Sequence, residues 1–356
     1  MSDLNETSIG GGGAESANAR VSSTPVITIG ITTFNRPQSL LRAVESVLAQ
    51  PDVTPGAVEL IIVDDASTLP AASQMLTELR SREAIDAPGM IRIVRHEVGS
   101  GGPSAGRNDV ITMARGEFIL FLDDDNRLSA GSLSPLLTYL AHSTNDYVSL
   151  RRRRGDRSSF YASEGLHDGL TRDQVLWTFL VGGAFRTRAV RRSGVLFDPQ
   201  ISNGEDCEFV LEFVISANGF AALSDRDYVV EGDPGPDELP HISRMHQGVE
   251  FARILVNHVD RLVDIVARAD LSASERSALG KRILHRSVSS YKMLVRFGKL
   301  SDDSQAHPLL TEWMTSIQRL LTDPEVRDWA HSRGMESAID AALAHDLDRV
   351  RRALAP

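Results

Sequence analysis

The sequence predicts an α/β protein built on a doubly wound, mostly parallel sheet and followed by an all-helical C-terminal region. Three observations carry this. Short apolar, β-favouring runs alternate with helical patterns from Pro25 to about Phe121. Two of the runs end in clustered acids, IIVDD and FLDDD. From about Gln247 onward only helical spacing remains. Doubly wound sheets bind ligands beyond the carboxyl ends of their strands, so both acidic clusters fall where a ligand is expected.

VITIGI (Val26 to Ile31) reads as the first buried strand, followed by the turn TTFNRP with Pro37 in a first helical turn. Leu40, Leu41, Val44, Val47 and Leu48 recur at helical spacing up to Gln50-Pro51. ELIIVDDAS is the second strand and ends in Asp64 and Asp65; a helix through Leu76 and Leu79 follows. IRIVRH is the third strand, and GSGGPSAGR is a glycine loop leading into a helix over Pro103 to Arg115 that Gly116 ends. EFILFLDDDN is the fourth strand. Between Ser129 and Asp233 the pattern is mixed: a strand at YVSL, the basic run RRRRGDR, a Gly182-Gly183 loop, a loop and helix at NGEDCEFVLEFVISA, and a strand over Arg226 to Val230. EGDPGPDELP is a loop. In the helical region Phe251, Ile254, Leu255, Leu262 and Ile265 form one stripe, on which His258 reads as a packed histidine rather than a ligand. Ser272 and Glu275 form a capping-box pattern, and Leu309, Leu310, Trp313, Ile317 and Leu320 form another stripe before a last helix.

The 356 residues suffice for a large domain and a smaller one, and 42% hydrophobic with 24% charged content is ordinary for a soluble globular chain. A formal charge of −10 argues against nucleic acid as partner, although a local basic patch can still bind anions. Cys207 is the only cysteine, which excludes an intrachain disulfide and a thiolate zinc cluster and fits a reducing compartment. No segment approaches the ~20 consecutive apolar residues of a membrane helix. Residues 1–24 lack the apolar core of a secretory signal and read as a disordered Gly/Ser/Ala leader.

Asp123, Asp124 and Asp125 emerge together from the fourth strand, where like charges repel and need water or a cation. They form either a solvated acidic turn or a site for Mg²⁺ or Mn²⁺ that arrives with a diphosphate. GPSAG matches a nucleophile-elbow pattern at Ser104, but Glu97 to Gly101 separate it from the strand and Pro103 favours a helix start. There is no Walker A sequence and no G-x-G-x-x-G after the first strand, so P-loop and dinucleotide readings lose their support. Glu205 and Asp206 are either acids complementing a helix's positive end or a general base beside a substrate hydroxyl. Arg151 to Arg154, Arg157, Arg186, Arg188, Arg191 and Arg192 are either a solvated face or a site for a phosphate-bearing acceptor. His246, in SRMHQG, is either a metal or pyrophosphate ligand or an ordinary loop histidine.

In order along the chain, TTFNRP, IIVDDAS, GGPSAGRN, FLDDDN and GEDCEF resemble the motifs of the inverting GT-A glycosyltransferases of family 2, over about Pro25 to His246. That resemblance implies a GT-A nucleotide-binding catalytic domain over 25–246 and a C-terminal helical region over 247–356. It also implies transfer of a sugar from a nucleotide diphosphate donor, generally with Mn²⁺ or Mg²⁺. Carried over by position, Thr32 and Asp65 contact the donor base, usually uracil, and Arg107 borders the nucleotide pocket. Asp123 lies towards the ribose, Asp124 stands with it among the donor-contacting acids, and Asp125 ligates the metal, with His246 as a second candidate ligand. Asp206 matches the catalytic base, with Glu205 beside it. The base would take the acceptor hydroxyl's proton as that oxygen attacks the anomeric carbon, and one displacement would invert the configuration.

VGGAFRTRAVRRSGVLFDPQISNGEDCEFVLEF, DYVV and SRMHQ further resemble the branch that glycosylates the poly(polyol phosphate) of wall teichoic acid. This implies a UDP-sugar donor (N-acetylglucosamine or another hexose), an anionic glycopolymer acceptor, and a cytoplasmic enzyme that can work at the inner face of the membrane. The C-terminal helices would serve as a homo-oligomerisation module or as a lid. Capsular polysaccharide, exopolysaccharide and protein-linked glycan acceptors stay open. So do a nucleotidyltransferase, which would release pyrophosphate, and a non-catalytic sugar-nucleotide binder.

Overall fold

The sheet forms around β1 (Ile27–Thr33), buried along nearly its whole length as a central parallel strand must be. The computed structural model describes residues 24–86, 90–159, 161–176, 179–201, 203–241, 248–296, 303–335, 337 and 340. The polar leader read from the sequence therefore lies almost wholly outside the described residues. After β1 come α1 (Pro37–Leu48), β2 (Val58–Asp64), α2 (Pro70–Asp86), β3 (Ile91–Arg95), α3 (Pro103–Met113) and β4 (Phe118–Phe121). The middle of the chain adds β5 (Arg127–Leu128), α4 (Leu133–His142), β6 (Tyr147–Leu150), β7 (Arg152–Arg154), β8 (Arg157–Ser159), β9 (Leu166–Asp168) and α5 (Arg172–Val175). Then follow β10 (Gly183–Arg186), α6 (Thr187–Ser193), α7 (Glu205–Ser216), β11 (Phe220–Leu223) and β12 (Val229–Glu231). Helices α8 (Gly248–Arg268), α9 (Ala273–Arg296), α10 (Asp303–Leu321) and α11 (Pro324–Ser332) complete the described chain.

The main sheet has the order β3-β2-β1-β4-β10-β6-β11-β9. β10 and β9 run against the other strands, so the expected mostly parallel sheet is present with two reversed members. β10 corrects the sequence reading, which took Gly182-Gly183 for a loop. A Cβ on Gly183 would lie 2.5 Å from the Val148 carbonyl and from the Tyr147 ring, so only glycine lets β10 sit beside β6. The basic run, to which the sequence reading gave no element, forms a hairpin, β7 and β8. It belongs to a second sheet of order β5-β12-β7-β8, and β5 follows directly on the DDDN turn.

The expected helical region is present, and its Ser272–Glu275 capping box closes: the Ser272 amide donates to Glu275 at 3.0 Å and the Glu275 amide to Ser272 Oγ at 3.3 Å. One hydrophobic cluster joins Val63, Phe121, Phe209 and Phe213 to Val256, Leu262, Ile283 and Trp313, so the C-terminal helices share a core with α7. Below the sheet's other end, the fully buried Glu59 accepts from Thr28 Oγ1 at 2.7 Å, from the Arg115 amide and Nε at 2.7 Å each, and from Arg92 at 3.2 Å. Burial alone would raise the Glu59 carboxyl, but these donors together hold it below its ordinary value.

Glu59→Gln should therefore cost about 2 kcal/mol at neutral pH, measured by denaturant unfolding. Because the folded-state value is depressed, this contribution is complete above the ordinary value of 4.5 and is lost as pH falls through the lower, folded one. The gap between parent and variant should close on acidification, and a gap that persists to strongly acid pH would contradict the assignment.

Candidate active site

The chain answers the repulsion among Asp123, Asp124 and Asp125 with its own cations. Arg36, at the entry to α1, places Nη1 3.0 Å from both Asp124 Oδ1 and Asp125 Oδ2. Thr33 Oγ1 donates to Asp124 at 2.8 Å, and His241 Nδ1 stands 3.1 Å from Asp125 Oδ2. Asp124 and Asp125 are buried, whereas the Asp123 side chain is 40% exposed and is the most open of the three. Burial pushes the Asp124 carboxyl up to about 7 against the pull of Arg36, and Asp125 beside it adds to the rise. Desolvation also acts on Asp123, but Arg107, Arg152 and Arg36 outweigh it and hold that carboxyl below the usual range.

The loop read as EGDPGPDELP is a strap across this rim. Glu238 accepts from the Gln38 and Ser39 amides at 2.7 and 3.0 Å, satisfying donors that the start of α1 leaves unpaired. Arg36 donates to the carbonyls of Leu239 and Pro240, and His241 Nε2 pairs with Asp233 at 3.1 Å. A Cβ on Gly232 would stand 2.2 Å from the Asp125 carbonyl oxygen, so glycine is what lets the strap approach the acidic turn. The bond to Asp125 raises the His241 imidazole above its ordinary value, against burial.

Beyond β1 and β2, Asn35 adopts the left-handed region (φ 54°) and ties the two loops together. Its side-chain oxygen accepts from the Thr68 and Leu69 amides at 2.8 and 2.9 Å. Thr32 is half-buried at the end of β1, where Gly106 of α3 packs against it. Asp65 accepts from the Ser100 amide at 2.9 Å and from His96 Nδ1 at 2.8 Å; His96 Nε2 reaches Asp109 at 2.7 Å. The bond to Asp109, aided by Asp65, raises the His96 imidazole against the opposing effect of burial. Beside this group opens a groove of about 650 Å³ lined by Ser67, Thr68, Ser73, Arg95 and His96, among others.

Arg107 joins the two acidic motifs. Its Nη2 lies 2.8 Å from Asp123 and its Nη1 2.7 Å from Glu205, so residues from β4 and α7 face each other across one buried guanidinium. The guanidinium lies 5.2 Å above the Phe197 ring, and the Asn108 side-chain amide fixes that residue, Nδ2 donating to the Phe197 carbonyl at 2.8 Å and Oδ1 accepting from the Phe197 amide at 2.9 Å. Phe197 in turn stacks on Phe209 at 3.9 Å, which seats α7 on the same platform. Glu205 is buried, and its carboxyl is raised by that burial against the pull of Arg107, with Asp206 adding. Asp206 is half-buried, and its Oδ1 accepts from the Cys207 amide at 2.8 Å.

Thr32 at the end of β1, Arg107 within α3, Asp65, Asp123, Asp124 and Asp125 on loops, and Glu205 and Asp206 at the start of α7 thus lie at this one side of the fold, with Asp124 turned inward on Thr33 and Arg36. His246 lies outside the described residues. His241 takes the place beside Asp125, and sequence reasoning missed it together with Arg36, His96 and Glu238; clustering of Asp, Glu and His in and around the strap was the available signal. Ser104 is 2% exposed inside α3, so it is not the displayed nucleophile an elbow requires. The arginine set is mostly structural: Arg151 pairs with Glu164 and Asp227, Arg152 with Glu231, and Arg186 is buried over Phe118. Arg191 donates to the last carbonyls around α3, while Arg153, Arg154 and Arg157 stay partly or fully exposed on the β7–β8 hairpin. For a divalent ion the fitting donors are Asp125 and His241, an oxygen and an imidazole nitrogen already adjacent. No three His, Cys, Asp or Glu side chains among the described residues gather to hold a metal, so an ion here would need substrate oxygens to fill its shell.

Residues 28–197 match the sequence profile of glycosyl transferase family 2. Poly(ribitol-phosphate) beta-N-acetylglucosaminyltransferase TarS of Staphylococcus aureus is 23% identical over 332 residues, covering 90% of this chain and 54% of TarS. The chain thus spans about half the length of that relative. A crystal structure of S. aureus TarS 1-349 in complex with UDP-GlcNAc superposes with a TM-score of 0.74 at 20% identity, covering 92% of this chain and 90% of the other, which is a likeness of fold. The putative colanic acid biosynthesis glycosyl transferase WcaA of Escherichia coli is 31% identical over 201 residues, covering 54% of this chain and 67% of WcaA. With the α/β sheet, the acidic rim and these kinships together, the chain belongs to glycosyl transferase family 2.

Proposed function

We propose that the chain transfers a hexose, N-acetylglucosamine first among the candidates, from a UDP-sugar to a hydroxyl of a teichoic-acid-like polyol phosphate polymer, with inversion. The observation that carries this is the Arg107 bridge, which brings the β4 acids and the α7 acid pair to one cleft. Thr32 and Asp65 would hold the uracil, Asp65 accepting from its ring N–H. Asp123 would face the ribose, and Asp124 would seat Arg36 beneath the diphosphate.

Asp206 would receive the acceptor hydroxyl's proton as that oxygen bonds to the anomeric carbon. The bond from that carbon to the diphosphate breaks, and UDP leaves with the electron pair from the opposite face. Burial and Arg107 keep Glu205 engaged, which leaves Asp206 as the carboxylate open to the acceptor. A divalent ion, Mn²⁺ or Mg²⁺, bound against Asp125 and His241 would stabilise charge on the leaving oxygens. No helix among the described residues is long and apolar enough to cross a membrane. For work at the inner membrane face, the exposed arginines of the β7–β8 hairpin are suited to peripheral contact with anionic lipid.

The kinship to the colanic acid transferase supports a second reading, with an extracellular polysaccharide as acceptor. A panel of poly(ribitol phosphate), poly(glycerol phosphate) and neutral oligosaccharides, read by UDP release, separates the two.

Asp206→Asn should lower turnover by about 10²–10⁴-fold while UDP affinity by calorimetry stays within twofold; full turnover in that variant contradicts the assigned base. Asp65→Ala should weaken UDP binding by about tenfold, as the loss of a charge-assisted hydrogen bond implies, and lose preference over GDP. Chelation with EDTA should abolish turnover and Mn²⁺ should restore it, with Asp125→Ala removing the Mn²⁺ response. Turnover that persists after exhaustive chelation would exclude the metal.

A further inference from the structure

We propose that the C-terminal helical region is a working part of the transferase site, because His258 of α8 and Arg286 of α9 hold the first turn of α7 and so position Asp206. The inference rests on the reading of Asp206 as the acceptor base. Helix α7 is launched by Gly204 in the left-handed region, at φ 96°. The His258 ring lies directly against that turn: a Cβ on Gly204 would stand 3.0 Å from its Nδ1 and 3.3 Å from its Cγ. His258 is 5% exposed, and neither ring nitrogen has a hydrogen bond among the described residues. Leaving two buried polar nitrogens unbonded is unfavourable, so a residue present only to fill space would be apolar.

What the imidazole faces is charge. Glu208 Oε1, one turn into α7, is buried without a hydrogen bond and lies 3.6 Å from His258 Nδ1 and 3.6 Å from Arg261 Nη1. From the other side, Arg286 Nη2 donates to Cys207 Sγ at 2.9 Å. Burial keeps the Cys207 thiol far above its ordinary value, so the sulfur accepts as a neutral group and the contact is a brace rather than an ion pair. Asp206 lies between these two grips, adjacent to Cys207 and two residues before Glu208. A base displaced by a fraction of an ångström loses rate without loss of donor binding. His258 and Arg286 are therefore positioning residues, and they act on turnover.

The test uses the full chain with UDP-N-acetylglucosamine as donor and poly(ribitol phosphate) as acceptor. In His258→Leu and in Arg286→Met, turnover should fall by about tenfold or more, while donor KM and UDP affinity stay within twofold. His258→Gln, which keeps a polar edge in the pocket, should recover part of the loss, which an apolar packing role would not produce. Turnover within twofold of the parent in both variants overturns the proposal. Hydrogen exchange on the unaltered chain reads the same point without any substitution. The Cys207 amide donates to the Gly204 carbonyl and to Asp206 Oδ1, and the two grips should keep those bonds closed, so Cys207 should exchange as slowly as the interior of α8. Exchange at the rate of solvent-exposed amides overturns the proposal. Asp206→Asn run alongside separates the causes: if it is active, the base reading fails and this inference with it. If it is inactive while both positioning variants match the parent, this inference alone fails.

Discussion

Consecutive carboxylates at the end of a buried strand repel one another unless basic side chains reach them, and that constraint organises this molecule. Asp123, Asp124 and Asp125 leave β4 together and meet basic side chains from three different parts of the chain. Arg36 comes with the start of α1, Arg107 with α3, and His241 with the strap that follows β12. None of these partners is close in sequence, so the rim exists only when the sheet has closed and the strap lies over α1. The strap's own anchoring by Glu238 serves the same end, because it satisfies the start of α1 and delivers His241 in one motion.

Arg107 extends that logic to the head of α7. A guanidinium with two forks can hold two carboxylates in fixed relation, and here it fixes Asp123 against Glu205. The Phe197–Phe209 stack beneath it makes the relation rigid, since the same aromatic platform carries the arginine and the helix. The acids after β4 and those at the head of α7 are thereby set apart by a distance that depends on packing, not on loop flexibility. The two carboxylates at the head of α7 thereby differ: Glu205 is committed to Arg107, and Asp206 is the one the proposed mechanism uses as base.

What could be read from the chain and what could not divide along physical lines. Buried parallel strands are continuous apolar runs, so β1, β2, β3 and β4 were legible, as were the acids at their ends. β10 was not, because its first residue is a glycine chosen for close approach to Tyr147, and glycine pairs read as loops. The β7–β8 hairpin was hidden by its arginines, whose partners Asp227 and Glu231 lie some seventy to eighty residues away. His241 carries only the weak signal of acids and histidines clustered around the strap, and Arg36 carries none: a histidine after a proline-rich loop and an arginine in a turn become meaningful only when folding brings both to Asp125. Asp206 stands out as a candidate base only through the order of several motifs, since an acid in a first helical turn is ordinary by itself. His258 read correctly as a packed residue, but its neighbours Gly204 and Glu208, some fifty residues earlier, could not be inferred from helical spacing.

The whole account hangs on the acidic rim being the seat of an activated sugar's diphosphate. A crystal of the full chain soaked with UDP and Mn²⁺, with manganese located by its anomalous signal, tests this most directly. The account predicts manganese against Asp125 and His241, uracil at Asp65 and the ribose beside Asp123. Nucleotide bound elsewhere on the fold, with the rim still closed by Arg36 and no manganese there, would contradict it.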